Sequence, residues 1–341
     1  MAAPSRPADS LTVAATIATA VRPRLWLSAA ALVSIAITVV LVWRPWSTSA
    51  FVEHRMLQRT DIPAALAIAP DGAVWFAIEM SDAIGVLRGG RIERVSKGTQ
   101  NLETLGLDID AAGGVWFTDA PGRAVSRMAA DGSIRSFPLG TPVVKLGRLA
   151  VAPNNAVWFT DLTTASVTRL KDGVFTRHVS RSAGAAPWGV AIEPNGTVWA
   201  TLPEVNRLAR IAADGQVTEF DVPTRGSGLG DVVIDAAGAV WFLEQQTNKI
   251  GRFANGRFAE FVVPTPSAGL TALATAPDGG VWFTELRGGR LGRVRDGRVR
   301  EFRLPRPNAR PFGIAVDREN NVWYTDLGGW LGMLRAKHAR S

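Results

Sequence analysis

Seven copies of one short phrase limit what this chain can fold into. Each is a valine followed by a tryptophan, and the tryptophans fall at Trp75, Trp116, Trp158, Trp199, Trp241, Trp282 and Trp323. Their successive spacings are 41, 42, 41, 42, 41 and 41 residues. A fixed period in this range marks a repeat architecture, in which no unit can bury its apolar face alone. The sixth unit shows the pattern best. Leu273–Ala276 is an apolar strand, Pro277-Asp278-Gly279 a turn and Val281–Thr284 a second strand. Leu291–Val294 is the third strand, Asp296-Gly297 a hairpin turn and Val299–Phe302 the fourth strand. Similar hairpin turns recur at Asp131-Gly132, Asp172-Gly173, Asp214-Gly215 and Asn255-Gly256. Strand-only units of this length pack radially, so the expected fold is all-β: a seven-bladed β-propeller with four strands per blade.

The seventh unit runs out before its fourth strand. After Leu331-Gly332-Met333 little remains but a basic tail, 336–341. At the other end of the repeats, Val52–Met56 occupies the register of Arg300–Leu304 in the sixth unit. Residues 51–57 are therefore expected to pair with 331–335 and close the ring, making 51–335 one domain. Closure of this kind removes the open sheet edges that invite aggregation.

The first fifty residues have another character. Leu25 to Trp43 is an uncharged run of 19 residues, roughly 28 Å as a helix and long enough to cross a bilayer. Trp26, Trp43 and Trp46 stand where interfacial aromatics belong, and Arg6, Arg22 and Arg24 outnumber Asp9 before the run. The expectation is a cytoplasmic tail at 1–24, a single transmembrane signal-anchor helix at 25–43 and a linker at 44–50. The propeller then lies on the extracytoplasmic, periplasmic or extracellular side of the cell membrane. A rival reading is a secretory signal cleaved after Ala50. Either places the propeller beyond the membrane.

Composition narrows the chemistry. With no cysteine, thiol nucleophiles and Cys-based zinc sites are excluded. The three histidines are His54, His178 and His338. The net charge of +8 admits nucleic acid or an anionic membrane as partner. Because the arginines are spread through every repeat, no nucleic-acid partner is expected. Arg127, Arg169, Arg210, Arg252 and Arg293 recur mid-strand at the blade period and read as structural.

Trp282-Phe283-Thr284-Glu285, Ile250-Gly251-Arg252, Glu260-Phe261-Val262-Val263-Pro264-Thr265-Pro266 and Pro311-Phe312-Gly313-Ile314 resemble the virginiamycin B (streptogramin) lyase family. Looser versions occur in NHL-repeat and gluconolactonase-like propellers. The likeness covers about 51–335. It implies a lyase that opens a cyclic depsipeptide by elimination, with a histidine base, a second histidine on substrate and two glutamates serving Mg²⁺. In this chain the base position falls on Phe312, the second histidine on Thr271, and the glutamates on Arg310 and Leu327, the latter beside Asp326. By that alignment the family mechanism is expected to be lost.

In a propeller the start of each inner strand and the end of each second strand open on one face. Counting from each tryptophan places Ala64, Leu105, Gly147, Trp188, Gly230, Thr271 and Phe312 on the inner ring, with Arg148 and Asp231 next to it. Ile78, Asp119, Asp161, Leu202, Glu244, Glu285 and Asp326 end the second strands. These acids read either as acceptors for backbone N–H groups in their own loops or, for Glu244, Glu285 and Asp326, as ligands of Mg²⁺ or Ca²⁺. Trp188 and Phe312 read either as plugs of the channel or as walls of an apolar pocket, rimmed by Arg148, Asp231 and Arg310 with Thr271 nearby. The favoured function is binding of a small molecule, an envelope component or a protein partner, with no cofactor expected. The alternatives are a metal-dependent enzyme, either a streptogramin-type lyase or a lactonase-like hydrolase, and a passive scaffold.

Overall fold

The structure is a computed structural model that describes residues 49–101, 105–141 and 144–339. The tail, the apolar run 25–43 and linker residues 44–48 lie outside the described residues. Among those described, no helix is long and apolar enough to cross a membrane. Also among them, 28 strands, numbered in chain order, form seven four-stranded antiparallel sheets. Blades 1 to 6 are continuous in sequence, at 62–101, 107–138, 146–179, 190–221, 229–262 and 270–303. Blade 7 mixes the two ends of the chain. Its strands at Pro311–Val316, Val322–Asp326 and β28 (Trp330–Leu334) take their fourth neighbour from β1 (Phe51–Arg55).

The expected closure is present, one residue displaced on the C-terminal side and shorter on the other. Phe51 faces Leu334 and Arg55 faces Trp330. Glu53 faces Gly332 as Glu301 faces Gly292 in blade 6, so the inferred register holds. The last described residues, Ala336–Ala339, form one helical turn, α1, whose Ala339 is buried.

Local chemistry explains why every unit adopts the same four strands. The second strand is sandwiched between neighbouring blades, and Phe117, Phe159, Phe242 and Phe283 in it are fully buried. Gly251 and Gly292 face Phe242 and Phe283 from the third strand, where a Cβ would run into the ring. In four of the seven blades the tryptophan indole N–H donates to an acid six residues earlier, in the first turn. These bonds are Trp116 to Asp110 (2.9 Å), Trp199 to Glu193 (2.6 Å), Trp241 to Asp235 (2.8 Å) and Trp323 to Asp317 (3.0 Å). In three of these turns the same carboxylate also accepts the turn's own N–H groups. The mid-strand arginines sit opposite the tryptophans, and Arg252 and Arg293 lie over those rings.

The inner strands are joined by threonine hydroxyls. Five of the seven carry a register shift near the tunnel mouth, for example between Leu270 and Leu273. The N–H groups of Gly189, Ala272 and Gly313 near this point donate to Thr201, Thr284 and Thr325. Each hydroxyl then donates to the next blade: Thr201 to Gly230 O (2.7 Å), Thr284 to Phe312 O (2.9 Å) and Thr325 to Ala64 O (2.6 Å). Thr160 does the same to Trp188 O at 2.9 Å. Replacing Thr325 by Val removes both bonds at the seam between blades 7 and 1. It is expected to lower stability by about 1–3 kcal/mol in urea titrations, with Thr325→Ser losing less.

Candidate functional site

The tunnel mouth gathers three of the residues expected there. Arg148, near the start of blade 3's inner strand, extends its guanidinium across the tunnel. Its Nη1 donates to Leu105 O in the segment leading into blade 2 (3.2 Å), and its Nη2 to Thr271 O in blade 6 (3.0 Å). Its Nε lies 3.6 Å from an oxygen of Asp231 in blade 5, whose other oxygen accepts the Leu273 N–H. Counted along the repeat, Leu105 O and Thr271 O are the two carbonyls whose preceding blades offer Ala77 and Leu243 in place of the stitching threonine. Arg148 supplies the two donors that those blades lack. A buried carbonyl without a donor costs roughly 1–3 kcal/mol, so one guanidinium replaces two missing hydroxyls.

Trp188 and Phe312 sit in blades 4 and 7, well apart around the ring. Both are partly buried, and Phe312 packs against the core containing Ala64 and Ala65. Their backbone carbonyls accept the stitching threonines, and Phe312 O also accepts the Thr271 hydroxyl at 2.8 Å. Arg310 presents an exposed side chain, while its N–H donates to Asp326.

The aspartates at the second-strand ends turn into their own loops. Asp119 accepts the Gly122 N–H, and Asp161 those of Thr163 and Thr164. Asp326 is fully engaged. One oxygen accepts the Gly328 N–H; the other accepts the Arg310 N–H and Nη2 of Arg306, at 2.7 Å. The resemblance implies a divalent cation at Arg310 and Leu327, but an arginine, a leucine and a carboxylate neutralised by Arg306 do not fit one. Among the described residues, no three His, Cys, Asp or Glu side chains are grouped to hold a metal ion.

Arg306 escapes the sequence reading, though a signal for it exists. It stands where Ser182, Thr224 and Thr265 stand in other blades, and each of those hydroxyls bonds a glutamate of its own outer strand: Glu219, Glu260 and Glu301. Arg306 makes the equivalent bond to Glu53 at 2.9 Å. Burial works upward on Glu219, but the hydroxyls of Ser180 and Ser182 and two backbone N–H groups outweigh it and hold the carboxyl down at about 2.

Glu244 and Glu285 behave in the opposite way. Both are fully buried, and burial followed by the nearby charges of Glu260 and Glu301 pushes each up to about 7, against the weaker pull of Lys249 and Arg290. Thr247 donates to Glu244 at 3.2 Å, whereas the buried oxygens of Glu285 meet no well-aligned donor and have the Thr265 hydroxyl and Glu301 as their polar neighbours.

On the same face, the loops of blades 5 and 6 enclose a cleft of about 470 Å³. Gln245, Gln246, Asn248, Ser267, Thr271 and Arg287 are its polar lining. Gln245 donates to Leu270 O, and Arg287 donates to Ser267 O. The cleft carries amide, hydroxyl and guanidinium groups and no carboxylate.

A ring of seven four-stranded blades, laced at its inner strands and open to a polar cleft on one face, defines a seven-bladed β-propeller. The chain belongs to the virginiamycin B lyase family, whose model matches residues 44–171 and 145–338. A virginiamycin B lyase from Nocardia farcinica (strain IFM 10152) is 33% identical over 191 residues, 55% of this chain and 65% of that protein, so the match spans less than two thirds of the relative. A catalytically inactive histidine-to-alanine virginiamycin B lyase from Staphylococcus aureus, solved with quinupristin, superposes with a TM-score of 0.78 at 26% identity. That match covers 83% of this chain and 98% of the other. YCF48 bound to D1 peptide, at 14% identity and a TM-score of 0.67 over 84% of this chain and 96% of that one, shares the fold alone.

Two measurements test this account of the site. Arg148→Met should cost about 2–4 kcal/mol in urea unfolding, since two carbonyls and Asp231 all lose their partner; Arg148→Lys should fall between. For Glu285 the folded value lies above the unfolded one, so its contribution is intact below about 4.5 and declines as pH rises through about 7. Glu285→Gln should therefore raise Tm by roughly 2–4 °C at pH 8, with a smaller gain at pH 5.

Proposed function

We propose that this chain is a membrane-anchored, extracytoplasmic member of its family. In this reading it binds a ligand at the tunnel face and does not open a depsipeptide ring by the histidine route. The observation that carries the reading is the pair of positions at which the resemblance expects imidazoles. Phe312 and Thr271 stand there, and the Thr271 hydroxyl is engaged with Phe312 O. A phenyl ring accepts no proton, and elimination needs a base within hydrogen-bond reach of the proton to be removed. In the S. aureus relative, the histidine-to-alanine variant is catalytically inactive. The histidines of this chain lie elsewhere: His54 in β1, His178 on blade 3's outer strand against Trp158, and His338 in α1.

The cleft beside Thr271 supports binding of a polar ligand rich in carbonyl or hydroxyl groups, because amide and guanidinium donors dominate its wall. Trp188, Phe312 and Arg310 flank the mouth as further contacts. The uncharged run 25–43 and the arginine excess before it support the anchor and its orientation.

Incubation of the protein with a type B streptogramin and Mg²⁺ tests the reading. Chromatography is expected to show no ring-opened product above the uncatalysed background. Turnover that EDTA abolishes would sink it. Divalent ions give a second check: Mg²⁺, Ca²⁺ and EDTA should each leave Tm unchanged within about 1 °C, since a bound ion stabilises by mass action.

A further inference from the structure

The third and fourth strands of blade 6, β24 (Arg290–Arg295) and β25 (Arg298–Arg303), place arginine opposite arginine three times. Arg290 faces Arg303, Arg293 faces Arg300, and Arg295 faces Arg298. Like charges directly across a sheet repel, so the hairpin carries a cost that strand pairing does not require. The inner cations are compensated: Glu301 lies 3.7 Å from Arg290, and Asp278 lies 2.7 Å from Arg293 and 3.4 Å from Arg295. The outer ones are not. Among the described residues, no carboxylate stands within ion-pair distance of the exposed Arg298, Arg300 or Arg303. A charge on an outer strand guards a sheet edge, but blade 4's outer strand, Val217–Asp221, contains no arginine at all. Edge protection alone does not ask for three uncompensated cations.

The place where the chain enters the ring identifies the partner. Arg293, Arg295, Arg298 and Arg300 share the side of blade 6 that carries Trp282 and Phe302, and those rings pack with Ala50 and Phe51 of the entering chain. The turn α1 bridges the two. Ala50 O accepts the Arg335 N–H, and Ala339 O accepts Nη1 of Arg293, each at 2.9 Å. Four helical residues, roughly 6 Å of rise, separate these bonds. Exposed Lys337 on α1 adds a further cation. The linker 44–50 joins this point to Trp43 and spans at most about 25 Å when fully extended.

We infer that the arginine face of blade 6, with Lys337, docks on anionic lipid headgroups of the membrane to which the chain is anchored; this rests on the anchor reading above. Basic residues held within a Debye length of an anionic surface each add to its attraction, and salt removes it. The docked face would fix the propeller's rotation about its linker and so the direction in which the tunnel face points.

The test uses the full chain in nanodiscs of phosphatidylcholine, with and without phosphatidylglycerol, and reads amide hydrogen exchange at residues 298–303 and 336–339. Exchange there is expected to slow about tenfold in the anionic discs, to recover at high salt, and to lose its lipid dependence in the Arg298→Glu/Arg300→Glu variant. Unchanged exchange in the other blades shows that the variant remains folded. Equal exchange in both lipids, or lipid dependence that survives the charge reversal, overturns the inference. So does a propeller that prefers DNA to anionic lipid. Resistance of the chain to alkaline extraction from membranes reports on the anchor separately. A chain that is extracted yet protected by anionic vesicles defeats the anchor and keeps the surface; an embedded chain without protection does the reverse.

Discussion

The ring depends on a single oxygen used twice. In three blades a threonine two residues after the tryptophan, Thr201, Thr284 or Thr325, accepts an N–H from its own inner strand and donates to the inner strand of the next blade, and Thr160 makes the same donation. The interior of a propeller has little else to hold adjacent sheets in register, because packed apolar side chains resist separation better than sliding. A hydroxyl is a donor and acceptor on one atom, which suits it to a seam where one strand lacks an acceptor and its neighbour lacks a donor. The two blades without that threonine explain the most unusual residue of the tunnel. Arg148 reaches Leu105 O and Thr271 O because Ala77 and Leu243 cannot, and Asp231 balances the charge that this solution brings inside.

The face is thereby divided into a sealed centre and an open flank. Arg148 reaches across the axis, and the open space on this face is the cleft between the loops of blades 5 and 6. Around this cleft the acids are of two kinds. Asp326 is captured by Arg306, whereas burial beside the ion pairs Lys249–Glu260 and Arg290–Glu301 raises Glu244 and Glu285 to about 7.

Much of this was legible from spacing alone. A tryptophan every 41 or 42 residues specifies the number of blades, and the register of Glu53 with Glu301 specifies how the ring closes, because both are properties of one strand compared with its copies. The same periodicity offers a loop role as one of two readings of the acids at second-strand ends, and Asp119, Asp161 and Asp326 do accept N–H groups of their own loops. The function of Arg148 does not. It requires reading a presence at one position against absences at 77 and 243, then knowing that the three meet across a tunnel. Arg306 hides similarly: an arginine at a position of hydroxyls looks like drift until its contacts with Glu53 and Asp326 appear. The turn acids six residues before the tryptophans were readable, but only as a pattern of pairs.

Blade 7 has a consequence for how the protein is made. Val52 leaves the ribosome among the first residues of the ring, yet its partner Met333 is among the last. Throughout synthesis the first strand waits with its edge bare while six blades assemble beside it, and contacts so distant in sequence are the slowest to form. Any tag, cut or nascent-chain arrest near either terminus acts on the same sheet. The lock of the whole ring is thus its final event, and a chain that stalls before β28 is left as an open arc with two sticky ends.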